Sequence, residues 1–147
     1  MKVFVFDIND RVHVGTVTGE LSITDTISIS IPEGQSYIIL DNEDLPNEPQ
    51  ESWYIEGGEI KIDQQKLIEH NRKNMPTLTP IEFDIKLNNA GLYDVVQDLI
   101  KDSFELRIAY NRATFFSRTD PFIDQVRIAL GLTDDQVDAV WEQALQL

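Results

Sequence analysis

Three helix-start signals in the second half of the chain limit its possible folds more than any other feature. Thr79-Pro80-Ile81-Glu82 combines a threonine N-cap, a proline at the first helical position and a glutamate three residues after the cap. Thr133-Asp134-Asp135-Gln136 repeats the capping pattern with glutamine, and Asp120-Pro121 supplies the third signal. Each satisfies amides that a helix leaves unpaired at its beginning, so together they commit this region to helices. The spacing predicts one helix from Thr79 to about Asn88-Asn89-Ala90-Gly91 and another from about Leu92 to Ile100. A third starts at a cap on Asp102 or Ser103 and runs through Ser117, a fourth runs from Asp120 to Gly131, and the last runs from Thr133 to the C-terminus. A short polar helix from Asp63 to Asn74, ending before Met75-Pro76, reads as a connector.

The first half has a different period. Between Glu20 and Ile31, Leu21, Ile23, Ile27, Ile29 and Ile31 fall on one parity and Ser22, Thr24, Thr26, Ser28 and Ser30 on the other, which predicts a strand with one wet face. Pro32-Glu33-Gly34 turns the chain, and Tyr37-Ile38-Ile39-Leu40 resumes a strand. The opening Lys2–Ile8 run is a strand covered on both faces. Trp53–Ile62 reads as a hairpin because Gly57-Gly58 can take the positive φ angles of a two-residue turn. The expected class is therefore α+β, an N-terminal small antiparallel β-sheet of meanders or hairpins followed by a C-terminal helical bundle. The expected divisions are a β-rich domain at 1–62, a helical connector at 63–76 and a helical domain at 77–147.

A chain of 147 residues is long enough to bury a core without a covalent staple. It has no cysteine, so disulfides and thiolate zinc sites are excluded. It also lacks a membrane-length apolar run and a signal-peptide-like start, so a soluble product made in a cytoplasm is expected. The 26 acids against 12 bases, net charge −14, argue against membrane or direct nucleic-acid binding. Acids and bases are spread over both halves, so no separate acidic tail exists. The acidic loop at 41–51 lacks the residue order of a calcium loop, and no metal or cofactor is expected.

Residues 104–116 concentrate arginines and aromatics. On a helical wheel Phe104, Ile108 and Phe115 fall on one face, and Leu106, Ala109, Tyr110, Ala113 and Phe116 on a second. Two apolar faces predict a helix with neighbours on both sides and its rings in the core. Arg107, Asn111, Thr114 and Arg118 form a polar stripe between the faces, with Arg112 beside Glu105 on the other side. Aromatics and arginines thus do not share a face, as a base- or phosphate-stacking site requires. The arginines of the stripe either pair with acids of neighbouring helices or, at Arg107 and Arg118, line a partner-facing groove.

Catalytic constellations are absent from the sequence. His13 lies in a strand-like segment and His70 in a polar helix, neither with triad or metal-ligand spacing. No glycine-rich phosphate loop occurs, and carboxylate pairs are too numerous here to be informative. Trp53, Tyr54 and Trp141 read as packing residues of the hairpin and last helix, with Trp53 and Tyr54 as an alternative surface anchor for a partner.

The order of parts resembles that of small tailed-bacteriophage proteins of the tail-fibre region, described as tail or tail-fibre assembly proteins. The residues that carry the resemblance are Ile31-Pro32-Glu33-Gly34 and Trp53-Tyr54-Ile55-Glu56-Gly57-Gly58-Glu59-Ile60 in the first half. In the second they are the Tyr110–Pro121 segment, with its aromatic-x-x-Ala-x-x-Phe and Arg-x-x-Pro patterns, and Leu130-Gly131-Leu132-Thr133-Asp134-Asp135-Gln136. The arginine-rich, proline-flanked segment of fibre chaperones is missing, so the resemblance implies phage origin more directly than a chaperone role. It implies a non-enzymatic protein that binds a tail-fibre or baseplate component, as assembly chaperone or virion part. The alternative is an acidic, DNA-mimicking inhibitor of a host DNA-binding defence protein.

Overall fold

The structure, a computed structural model, describes residues 1–143. The expected continuation of the last helix over 144–147 lies outside the described residues. The fold is α+β, and the chain divides into two compact units, Met1–His70 and Asn71 onward.

In the first unit β1 (Lys2–Ile8) turns back through Asn9 and Asp10 into β2 (Arg11–Thr16). Both turn residues have positive φ, 53° and 60°, a conformation that short polar side chains tolerate and that matches the twist of paired strands. β3 (Ile38–Asp41) pairs antiparallel with the other side of β1, giving the order β2-β1-β3. Because side chains alternate along a strand, β1 feeds two cores. Phe4 and Phe6 pack with Ile27 and Ile31 on one face, whereas Val5 packs with Val12 and Trp53 on the other. The second layer is the hairpin of β4 (Trp53–Glu56) and β5 (Glu59–Ile62), which turns through Gly57 and Gly58 at φ 61° and 76°, as expected. Burying each large apolar side chain of β1 contributes about 1.5–3 kcal/mol.

The expected strand between Glu20 and Ile31 is instead a helix, α1 (Ile23–Ser30). Ile23, Ile27 and Ile31 are four residues apart as well as two-fold periodic, so the same pattern draws one helical face. The hydroxyls on the other parity then decide the outcome. Ser22 Oγ caps the helix by accepting from the Asp25 amide at 3.1 Å, and Thr26 and Ser28 donate to carbonyls of the preceding turn. Ile27 and Ile31 are buried, while Ile29, which a strand would have placed beside them, is 75% exposed.

α2 (Gln64–Lys73) spans the junction of the two units. The second unit contains α3 (Pro80–Asn89), α4 (Tyr93–Asp102), α5 (Phe104–Arg112), α6 (Pro121–Ala129) and α7 (Asp134–Glu142). Both anticipated capping boxes form. Thr79 and Glu82 exchange hydrogen bonds at the start of α3, as do Thr133 and Gln136 at the start of α7. α6 begins at Pro121, although the Asp120 side chain accepts from the Ser117 amide instead of capping the helix. The core is aromatic. Phe83 stacks on Phe116 with ring centroids 4.3 Å apart, and Phe122, Tyr110 and Trp141 surround the pair.

α5 ends at Arg112, short of the expected Ser117. The chain becomes extended at Ala113, and Phe116 exchanges backbone hydrogen bonds with Leu78 at 2.7 and 2.8 Å. That nonlocal bridge sets Phe116 into the core beside Tyr110.

Candidate functional site

The four residues singled out as partner contacts have different environments. Arg118 is interior. Its Nε donates to Asp138 at 2.7 Å, and its Nη2 donates to the side chain and carbonyl of Asp134 at 3.0 and 3.2 Å. The two acids are four residues apart on α7 and so share one face of that helix. Asp138 also receives Arg72 Nε at 2.9 Å, and Arg127 bonds Asp124 at 2.7 Å while lying 3.4 Å from Asp134. The Arg118 hydrogen bond is the largest influence holding the Asp134 carboxyl below its ordinary range, opposed by burial and reinforced by the neighbouring arginines. This network occupies Arg118 within the unit.

Arg107 is on the outside. Its guanidinium lies 5.6 Å from the centroid of the Phe104 ring one turn earlier, and its Nη1 donates to the Lys101 carbonyl at 3.3 Å. Phe104 and Phe115 are 64% and 56% exposed, so the expectation that all rings of this stretch lie inside is corrected. Leu106 and Tyr110 turn α5 toward the core, while Phe104 is left to solvent. Phe104 and Arg107 consequently share a face, contrary to the wheel.

A groove of about 390 Å³ between α4 and α5 runs beside Arg107 and is lined also by Gln97, Ile100, Lys101, Tyr110 and Asn111. The Tyr110 hydroxyl donates to Asp84 and accepts from Gln97 Nε2 at 3.2 Å. Burial first, then the Asp84 carboxylate, pushes its pKa up to about 12. Tyr110 is therefore a neutral donor at physiological pH and braces the groove floor.

Trp53 and Tyr54 are adjacent in β4 and point to opposite faces. The Trp53 ring is buried against Val5 and Val12, and its Nε1 donates to the Glu48 carbonyl at 2.8 Å. Tyr54 is exposed. They do not form a joint anchor, as the strand period already implied.

Two further concavities lie in the first unit. One, of about 600 Å³, is lined by residues of opposite charge, including Asp10, Arg11, Glu51 and Lys66. The other, of about 440 Å³, lies between α1 and the segment leading to β3. Among the described residues no group of three or more histidines and acids is placed to hold a metal ion, and no helix is long and apolar enough to cross a membrane. His70 Nδ1 lies 3.7 Å from Glu51, and His13 stacks on Phe6 with ring centroids 5.4 Å apart.

Sequence reasoning missed Lys86, a buried lysine on α3 whose ammonium donates to the Trp141 and Gln143 carbonyls. It also missed the Tyr110–Asp84 bond. Neither leaves a local signal, because the partners are far apart in the chain. Comparison of the chain with protein-family models, curated proteins and solved structures finds no match.

Proposed function

We propose that this chain is a non-enzymatic phage protein that binds a tail-fibre or baseplate component, as an assembly chaperone or as part of the virion. The observation that carries the proposal is the exposed Phe104–Arg107 pair beside the α4–α5 groove. Aromatic and arginine side chains are the types that dominate binding energy at protein interfaces, and an exposed ring set in a strongly acidic chain gives a specific contact without general stickiness. The likeness of the motif order to tail-fibre-region proteins supplies the partner class. Co-expression with the tail-fibre gene of the same phage is expected to raise the yield of soluble, trimeric fibre, or mass spectrometry of purified particles to find the protein. Failure of both would overturn the proposal.

A second reading rests on the exposed carboxylates of Glu43, Asp44 and Glu48 in the loop after β3, none of which forms a salt bridge among the described residues. In an inhibitor of a host DNA-binding protein they would stand in for phosphates. Salt-sensitive competition with DNA favours this role, and no competition at low salt removes it.

A further inference from the structure

The two outer edges of the three-stranded sheet are treated differently. On the β2 side, Gln50 Nε2 donates to the Val12 carbonyl at 2.6 Å and occupies an outward-facing acceptor. Among the described residues no side chain bonds to the backbone on the β3 side. The Asn42 amide donates to the Met1 carbonyl at 2.9 Å, and in the register Val3 to Leu40 and Val5 to Ile38 this makes Leu40 and Ile38 the inward-bonded residues. The amide and carbonyl of Ile39 and of Asp41 therefore point to the open side. The strand Ile38-Ile39-Leu40-Asp41 has no proline, lysine or bulge, the devices that protect an edge.

Side chains add a receptor to this edge. Ile39 is opposite Phe4, on the face that α1 only partly covers, and is 46% exposed. Tyr37, just before β3, is also exposed and forms part of the wall of the 440 Å³ cleft, with Ile27 and Ile31 of the core beneath and Glu33 as its charged residue.

We infer that the open edge of β3 binds an extended segment of the assembly partner as a fourth strand, with alternate apolar side chains on the α1 face and lysine or arginine at the flanks. This rests on the partner-binding role proposed above and adds to the Phe104–Arg107 contact a second site of defined chemistry. The edge supplies backbone hydrogen bonds, and Ile39 with the cleft selects side chains. Charge selects the flanks. The strand runs directly into Asp41-Asn42-Glu43-Asp44, and Lys2, the base beside it, is already bound to Asp41 at 2.7 Å. A second copy would bring the same acids and a net charge of −14 against this edge, so the occupant is a different, basic segment.

The test uses the full chain, labelled for backbone amide NMR, and a terminally blocked peptide whose core alternates valine and threonine between flanking lysines. The expected result is a shift of the Ile39 and Asp41 amides, with a glutamate-flanked peptide binding far more weakly. Ile39→Pro removes one outward donor and no inner ladder bond, and is expected to weaken binding about tenfold. Should that variant fail to fold, a peptide N-methylated at the residues facing the edge probes the same bonds from the other side. Unshifted amides at Ile39 and Asp41, or equal binding by the methylated peptide, would overturn the inference, as would self-association through this edge. If the peptide binds here while tail-fibre and baseplate proteins do not bind at all, the phage role fails and the edge site stands.

Discussion

Arg118 and Asp138 form an ion pair of 2.7 Å with side chains only 5% and 16% exposed. Removing one member of such a pair leaves the other charged and dehydrated. Arg118→Ala is expected to cost about 3 kcal/mol, near the low end for a buried pair because Arg72 still serves Asp138. Urea denaturation measures it. The double variant with Asp138→Ala is expected to cost less than the sum of the singles, since the second change removes the stranded charge.

The same network makes stability depend on acid. Asp134 titrates below its ordinary value of 3.8, chiefly because Arg118 donates to it. A carboxylate depressed by folding contributes its full stabilisation above the unfolded value and loses it as pH falls through the lower folded one. Asp134→Asn is thus expected to be less stable than the native chain at neutral pH, with the gap closing in acid. Urea midpoints at neutral pH and at about pH 3 check the convergence.

Alkali acts through Tyr110. Its pKa rises from 10.0 to about 12 on folding, so the stabilisation is intact below the lower value and is lost as pH climbs through the higher. A spectrophotometric titration is expected to show a late-ionising step from Tyr110. Tyr110→Phe should abolish that late step and flatten the alkaline loss of stability.

Gly15 faces Phe4 across the β1–β2 hairpin, and a methyl group there would meet the ring at 2.0 Å. Phe4 is fully buried and has nowhere to move. Gly15→Ala is expected to destabilise the first unit by about 1–3 kcal/mol, read from thermal unfolding, and an unchanged melting temperature would contradict the packing described.

The identity of α1 as a helix is open to a direct check. Ile27→Ala removes a buried side chain and is expected to cost about 2–5 kcal/mol, whereas Ile29→Ala, one strand period away, should stay within about 0.5 kcal/mol. Equal costs would restore the strand.

That contrast also shows what could be read from residue order. The capping boxes at Thr79 and Thr133 and the Gly57-Gly58 hairpin were legible because each contains its own hydrogen-bond partners within four residues. α1 was misread because a spacing of two includes a spacing of four, and only the bonds of Ser22, Thr26 and Ser28 separate the two periods. α5 was drawn too long because its end depends on Leu78, far away in the chain. For the candidate contacts, the opposite faces of Trp53 and Tyr54 were available from strand alternation. The burial of Arg118 needed Asp138, and the outward amides of Ile39 needed the strand order, which residue order alone does not encode.

Lys86 gives the end of α7 an unusual dependence on the middle of the unit. Its buried ammonium donates to the carbonyls of Trp141 and Gln143. Terminal helical turns ordinarily fray on their own, at little cost to what precedes them. Here, unwinding the final turn would strand a positive charge in the aromatic interior, so the closing turn should melt together with the helices it covers.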